Sequence, residues 1–257
     1  MRELRRLNAW INGAALRDVD SKIHVVNITE NAPDQELTWA DAPGRMGQRL
    51  LTRRRTNKRI TIEFDIRELF DLSARRAVVD AVNTWARDGV LEVSYRPEQQ
   101  IRVVLAKAAE FGGARDVTGS YTLDFDAAAT PYWEDITPQR LEISGASGGG
   151  TIIIPGNAPA QPEITLTPTG GTLNTVTFGF AGKEIQFTGM SIPNGVPFVI
   201  SHDERGLLTA TAGAGRMLSL RTASSADDFE GGPGAVDAAY SASVACSAVF
   251  AIRGRWR

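Results

Sequence analysis

Only one stretch of this sequence carries a helical period, and it is set among alternations of period two. Ala74, Ala77, Val78, Ala81, Val82 and Trp85 recur at the spacing that lines one face of a helix. Arg75, Arg76, Asp80, Asn83 and Arg87 fall on the opposite face. Ser73 is placed to cap the first turn, because its hydroxyl can accept a bond from an otherwise orphaned backbone N–H. Leu72 can staple against Ala77 across that cap. Gly89 supplies the left-handed residue on which helices often end. The pattern predicts one amphipathic helix over 73–88.

Strands surround it. Between Lys58 and Arg67, Ile60, Ile62, Phe64 and Ile66 alternate with Arg59, Thr61, Glu63 and Asp65, so one face is dry and the other wet. Leu91, Val93 and Tyr95 alternate in the same way. Arg96 and Pro97 then turn the chain into a strand at 101–105, and Tyr121, Leu123 and Phe125 form the last strand of this half. One helix among antiparallel strands defines an α+β module.

The second half changes composition to Gly, Thr, Ser, Ala and Val, which suits short strands joined by tight turns. Strands are expected at 163–167, 175–180, 184–187, 196–202, 207–211, 217–220 and 241–253. That pattern is the one a β-sandwich needs. Gly145 to Gly150, followed by Pro155, Pro159 and Pro162, reads as linker and turn. The expected organisation is an N-terminal antiparallel β module with one helix over 1–137, a linker over 138–155 and a β-sandwich over 156–257.

The 257 residues suffice for two cores, and 42% apolar with 23% charged residues is a globular balance. A formal charge of -2 argues against nucleic acid or an anionic membrane as primary partner. No run approaches the ~18 apolar residues of a membrane span. The charged start, Met1 to Arg6, leads into no apolar signal-peptide run, so a soluble chain is expected. Cys246, the single cysteine, can form no internal disulfide and suits a reducing cytoplasm as a small buried hydrophobe.

Residue patterns that would carry catalysis are sparse. His24 and His202 are far apart, and neither has a second ligand at metal spacing. His24 alternates with Ile23 and Val25 and reads as a solvent-facing strand position. Gly145 to Gly149 fits the string G-x-S-x-G around Ser147, but that motif works on a strand–turn–helix, and Thr151 to Pro155 is not helical. Asp227, Asp228 and Glu230 lack calcium-loop spacing and read as a surface turn. Trp256 closes a strand more readily than it builds a sugar platform. Arg49, Arg53, Arg54, Arg55, Lys58 and Arg59 form a basic run without interleaved aromatics, so a solvated loop that pairs with a neighbouring subunit's acids fits better than a nucleic-acid contact. No catalytic, cofactor-binding or metal-binding residue is assigned, no cofactor is expected, and the chain is expected not to be an enzyme.

The order of these elements resembles the distal tail proteins of bacteriophages, the Dit or siphovirus tail component family. The likeness rests on Pro43 to Gly47 followed by Arg59 to Phe64, on Asn83 to Gly89 followed by Leu91 to Glu98, and on Phe125 followed by Thr130 to Trp133. Later it rests on Gly156 to Ala158 leading to Pro162 to Leu166, on Gly232 to Gly234, and on Ile252 to Trp256. The resemblance implies an N-terminal domain that closes six subunits into a ring and a C-terminal galectin-like β-sandwich that projects as a docking platform. It implies a structural component of the virion, made in the host cytoplasm. Such a homohexamer joins the tail-tube protein to the tail-tip or baseplate hub proteins and lets DNA pass without specific binding. No long aromatic-rich sugar-binding insertion is present. A carbohydrate-binding adsorption module is the alternative, and a cell-wall serine hydrolase acting through Ser147 is a third reading.

Overall fold

Alternation over Arg59–Ile66 produces the central strand of the first half. Ile60, Ile62, Phe64 and Ile66 are buried to 2% exposure or less, as the period-two pattern requires. The computed structural model describes residues 7–31, 35–41, 48–55, 57–67, 69–112, 119–128, 130–203 and 206–257, with the strands at 35–41 and 48–55 described by their backbone. The motif Pro43 to Gly47 and the charged start Met1 to Arg6 lie outside the described residues. The chain divides into two units, Met1–Trp133 and Glu134–Arg257.

In the first unit the strands are β1 (Ala9–Ile11), β2 (Ala14–Ala15), β3 (Ile23–Glu30), β4 (Gln35–Asp41), β5 (Gln48–Arg55), β6 (Arg59–Ile66), β7 (Gly89–Val93), β8 (Gln99–Lys107) and β9 (Ser120–Ala127), with helix α1 at Leu72–Trp85. They form an antiparallel sheet in the order β2-β1-β7-β8-β9-β6-β3, while β4 and β5 make a separate hairpin. Register sets Ile60 opposite Phe125, Ile62 opposite Leu123 and Phe64 opposite Tyr121. The last pair stacks with ring centroids 5.5 Å apart. Asn12 and Gly13 both have positive φ and turn β1 into β2, the demand of a two-residue hairpin.

The helix forms where the period predicts it but differs in three respects. Its cap is Asp71, whose carboxylate accepts from the N–H groups of Ser73 and Ala74, so Ser73 lies inside the first turn. It ends at Trp85, and Gly89 has no positive φ but opens β7. A Cβ on Gly89 would stand 2.4 Å from the Asn12 side-chain oxygen, so close approach explains the glycine. The buried stripe is Arg75, Val78, Val79, Val82 and Trp85, whereas Ala77, Ala81 and Leu72, the residue expected to staple, are exposed. Valine side chains bury more apolar area than alanine, and that decides which face turns inward. Tyr95 also departs from expectation: β7 stops at Val93, and Tyr95 sits exposed in the turn to β8.

The second unit contains β10 (Trp133–Asp135, straddling the division), β11 (Gln139–Ile154), β12 (Pro162–Pro168), β13 (Val176–Phe180), β14 (Lys183–Phe187), β15 (Phe198–His202), β16 (Leu208–Ala212), β17 (Gly215–Arg216), β18 (Gly234–Ile252) and β19 (Arg255–Trp256). Its strand order is β14-β13-β18-β12-β15-β16-β17, with β11 running along the whole of β18. The last part of β18 pairs with β12 and its middle with β13, so one long ribbon serves both layers of the sandwich. Phe178 of β13 lies 6.1 Å from Phe198 of β15 and 6.4 Å from Phe250 of β18, and these rings fill the core between the layers.

Residues 138–155 are therefore not a linker: 139–154 are a sixteen-residue strand. Its ladder with β18 shifts register between Gly145 and Ser147, and this bulge bends the strand from one layer to the other. Ile143 and Leu141 then fold back over Gly148 and Gly150, where an added Cβ would meet them at 2.5 and 3.1 Å. The glycines are packing partners. Residues 217–220, expected as a strand, are instead a short 3-10 turn at Leu218–Leu220. The strand expected at 241–253 begins earlier, at Gly234.

Candidate interaction site

A dense polar cluster lies inside the first unit and is built on Glu30, the last residue of β3. Its carboxylate accepts from the Tyr95 hydroxyl at 2.6 Å, the Trp133 indole N–H at 2.8 Å, Arg96 Nε at 2.9 Å and Lys58 Nζ at 3.2 Å. The Lys58 side chain is 3% exposed and that of Glu30 15%. The Arg96 guanidinium lies 5.3 Å from the centre of the Trp133 ring, a cation–π contact. Burial pushes the Glu30 carboxyl up, but the bonds from Tyr95, Trp133 and Arg96 outweigh it and hold it below the ordinary value. Burial and the bond to Glu30 push the Tyr95 hydroxyl well above its ordinary value. Lys58, read from sequence as part of a solvated run, is thus a buried structural cation.

A second polar surface is the solvent side of the same sheet. Arg59 Nε and Nη2 reach Asp126 at 2.8 and 3.1 Å, and the Thr61 hydroxyl donates to Asp124 at 2.7 Å. Glu63 and Asp65 continue that face along β6. The remaining arginines of the basic run, Arg49, Arg53, Arg54 and Arg55, belong to β5 and are strand rather than loop.

The residues considered for chemistry are dispersed. Ser147 stands in β11 opposite Ser241, with strand on both sides and no helix after it. His202 lies elsewhere, its Nε2 2.6 Å from Asp228 Oδ1. Asp228 also accepts from Gln161 Nε2 at 2.6 Å and from the Phe229 N–H at 2.7 Å, so the pair's bonds run to Gln161 and Phe229. Nothing in the spacing of His202 and Asp228 announces this pairing. Asp227 bonds Arg221 instead, and no group of three metal-ligating side chains occurs among the described residues. His24 is half-buried on β3, opposite Asp65. Cys246 is buried, which pushes its thiol up. The Trp256 indole donates to Asp135 at 2.8 Å and ties β19 to β10.

No family model matches the sequence, and no curated protein matches it. Among solved structures it is similar to SPP1 Dit, described as a paradigm of the hub adsorption apparatus in phages infecting Gram-positive bacteria. The TM-score is 0.70 and the identity 13%, over 98% of this chain and 99% of that one. The chain has the fold of a phage distal tail protein. The P2 baseplate in its activated conformation also matches, with calcium at a TM-score of 0.47 and 11% identity, and with strontium at 0.46 and 10%. These cover 97% and 96% of this chain, and 97% of the matched chain in both cases. In the distal-tail-protein fold of this chain, several residues that carry the sequence resemblance meet at one place: Tyr95, Arg96 and Trp133 all converge on Glu30.

Proposed function

We propose that this chain is a structural hub of a phage tail tip, a distal tail protein whose first unit closes into a ring between the tail tube and the adsorption apparatus. The observation that carries the reading is the likeness to SPP1 Dit over both units and nearly the full length of both chains. The first unit also has the parts that a ring contact needs. A ring arises when different patches on each subunit meet and the rotation closes. The β4–β5 hairpin has four arginines in its sequence and pairs with no other described strand, while the solvent side of β6 and β9 carries Glu63 and Asp65 beside Asp124 and Asp126, which Thr61 and Arg59 already engage. Charge complementarity between the two would fix register and orientation between neighbours.

In this reading the ring is a homohexamer in the virion, its near-neutral charge lets DNA slide through, and the galectin-like second unit is the platform for tip proteins. No chemistry is assigned to Ser147, which lacks the strand–turn–helix setting of a hydrolase nucleophile. Sedimentation and negative-stain imaging of the purified chain test the proposal. Six-fold particles with a central channel are the expected result. A chain that stays monomeric at every concentration, alone and with its tail-tube partner, overturns it.

A further inference from the structure

Among the described residues the second unit has three sheet edges, and one of them is neither covered nor short. At β14 the backbone carbonyls of Glu184 and Gln186 accept from the N–H groups of Ala226 at 2.8 Å and Thr222 at 2.9 Å, and the Gln186 N–H donates to the Ser225 hydroxyl at 2.8 Å. The loop 220–226 therefore covers that edge. At the other end β17 is two residues long, too short to template a partner. The third edge is β11. All of its residues but Ala146 pair with β18 on one side, and among the described residues no strand or loop pairs on the other. The hydroxyl bonded to the Gly145 carbonyl is that of Tyr240, from β18 itself.

Edges left open in proteins are usually blunted by lysine, proline or inward charge. From Ile143 to Ile154 this strand has no charged residue and no proline. Its outward face is Ser147, Gly149, Thr151 and Ile153, beside Ser241, Ala239, Asp237 and Ala235 of β18, and the Asp237 carboxylate is engaged by the Thr151 hydroxyl at 3.1 Å. Ile153 is 66% exposed. A Cβ at Gly149 would press on Ala239 at 3.1 Å, so this position stays bare and leaves a shallow trough at the edge. Bulky side chains on an adjacent strand cover such edge glycines.

We infer that β11 is a strand-addition site, and that its occupant is an extended, uncharged segment of a partner protein. The segment carries a bulky apolar side chain opposite Gly149 and a second apolar side chain opposite Ile153. Backbone hydrogen bonds give the affinity, and the two alternate-face positions give the selectivity. The site stands on the second unit alone, so it holds whether or not the first unit closes a ring.

The test uses the full chain and a capped peptide of about twelve residues, long enough to cover the edge. The peptide alternates threonine with valine, with phenylalanine and isoleucine replacing two valines at the separation of Gly149 and Ile153. Binding should slow amide hydrogen exchange within 143–154 and nowhere comparable in the first unit. N-methylation of alternate peptide amides should abolish it. Ile153→Lys should weaken it about tenfold or more, and Ile153→Thr should weaken it less, with the melting curve of both variants unchanged. Equal binding of the N-methylated peptide, or protection outside 143–154, overturns the assignment. So does protection of 143–154 that appears without peptide as protein concentration rises, which makes a second copy the occupant.

Discussion

The two units hold themselves together by different means. Buried polar or charged residues among those described are Lys58, Arg75 and Ser94, all in the first unit. There the ends of β3 and β6, the β7–β8 turn and Trp133 are drawn together by one carboxylate. The second unit has a core of Phe178, Phe180, Phe187, Phe198, Phe229 and Phe250, each at 1% exposure or less, with no buried charge among the described residues. A polar hub specifies which segments must meet, because an unmatched buried charge is costly. An aromatic core fixes the separation of two layers and tolerates less error in volume. The first unit joins irregular chain ends, and the second stacks regular strands.

Truncating a large buried aromatic side chain in each unit gives the largest expected effect. Phe178→Ala should cost about 3–5 kcal/mol and melt the second unit, while Trp85→Ala should cost about as much and melt the first. Two-step thermal unfolding with one step displaced in each variant is the expected trace; a single transition displaced alike in both would abolish the contrast. Glu30→Gln comes next, at about 2–3 kcal/mol, because Lys58 and Arg96 lose their charged acceptor. Since the folded Glu30 titrates below its unfolded value, its contribution is present above the ordinary glutamate range and is lost as pH falls through the folded value. The first unit's melting temperature should therefore drop in acid, and Glu30→Gln should flatten that drop and leave the second unit's profile alone.

Gly148→Ala sharpens the comparison within the sandwich. Its methyl would meet Ile143 at 2.5 Å, so repacking should cost about 1–3 kcal/mol, measurable by urea unfolding. Were Gly148 mere linker, the change would be neutral. Ser147→Ala has the smallest expected effect, within about 0.5 kcal/mol, since the residue is exposed and paired through its backbone. Fluorophosphonate labelling of the parent chain that vanishes in this variant would reopen the hydrolase reading.

Local patterns were legible and distant ones were not. Alternation over Ile60 to Ile66 located β6, and apolar recurrence located α1, because both periods are properties of neighbouring residues. The rotation of α1 was misread because Ala77 and Ala81 count as apolar in a pattern but contribute little area, while Val79 and Arg75 go inward. Asn12-Gly13 and Ala181-Gly182 each turn a two-residue hairpin with positive φ at both positions, and only the first pair is a sequence signal for such a turn. The run Gly148 to Gly150 read as linker because composition does not show what lies over a glycine. Glu30 meets partners 28, 65 and 103 positions away, and His202 meets Asp228 26 positions away. No periodicity spans such separations.

The β11–β18 ribbon has a mechanical consequence. Gln139 pairs with Ile252, so the second unit is entered and left at adjacent points of one ladder, and the bonds of Asp135, Glu134 and Trp256 latch those points together. Tension between the two ends would open the latch and then peel the ladder one rung at a time, a yielding geometry. A load carried along β11 itself would have to shear the ribbon across both layers at once, and against that direction the unit is stiff.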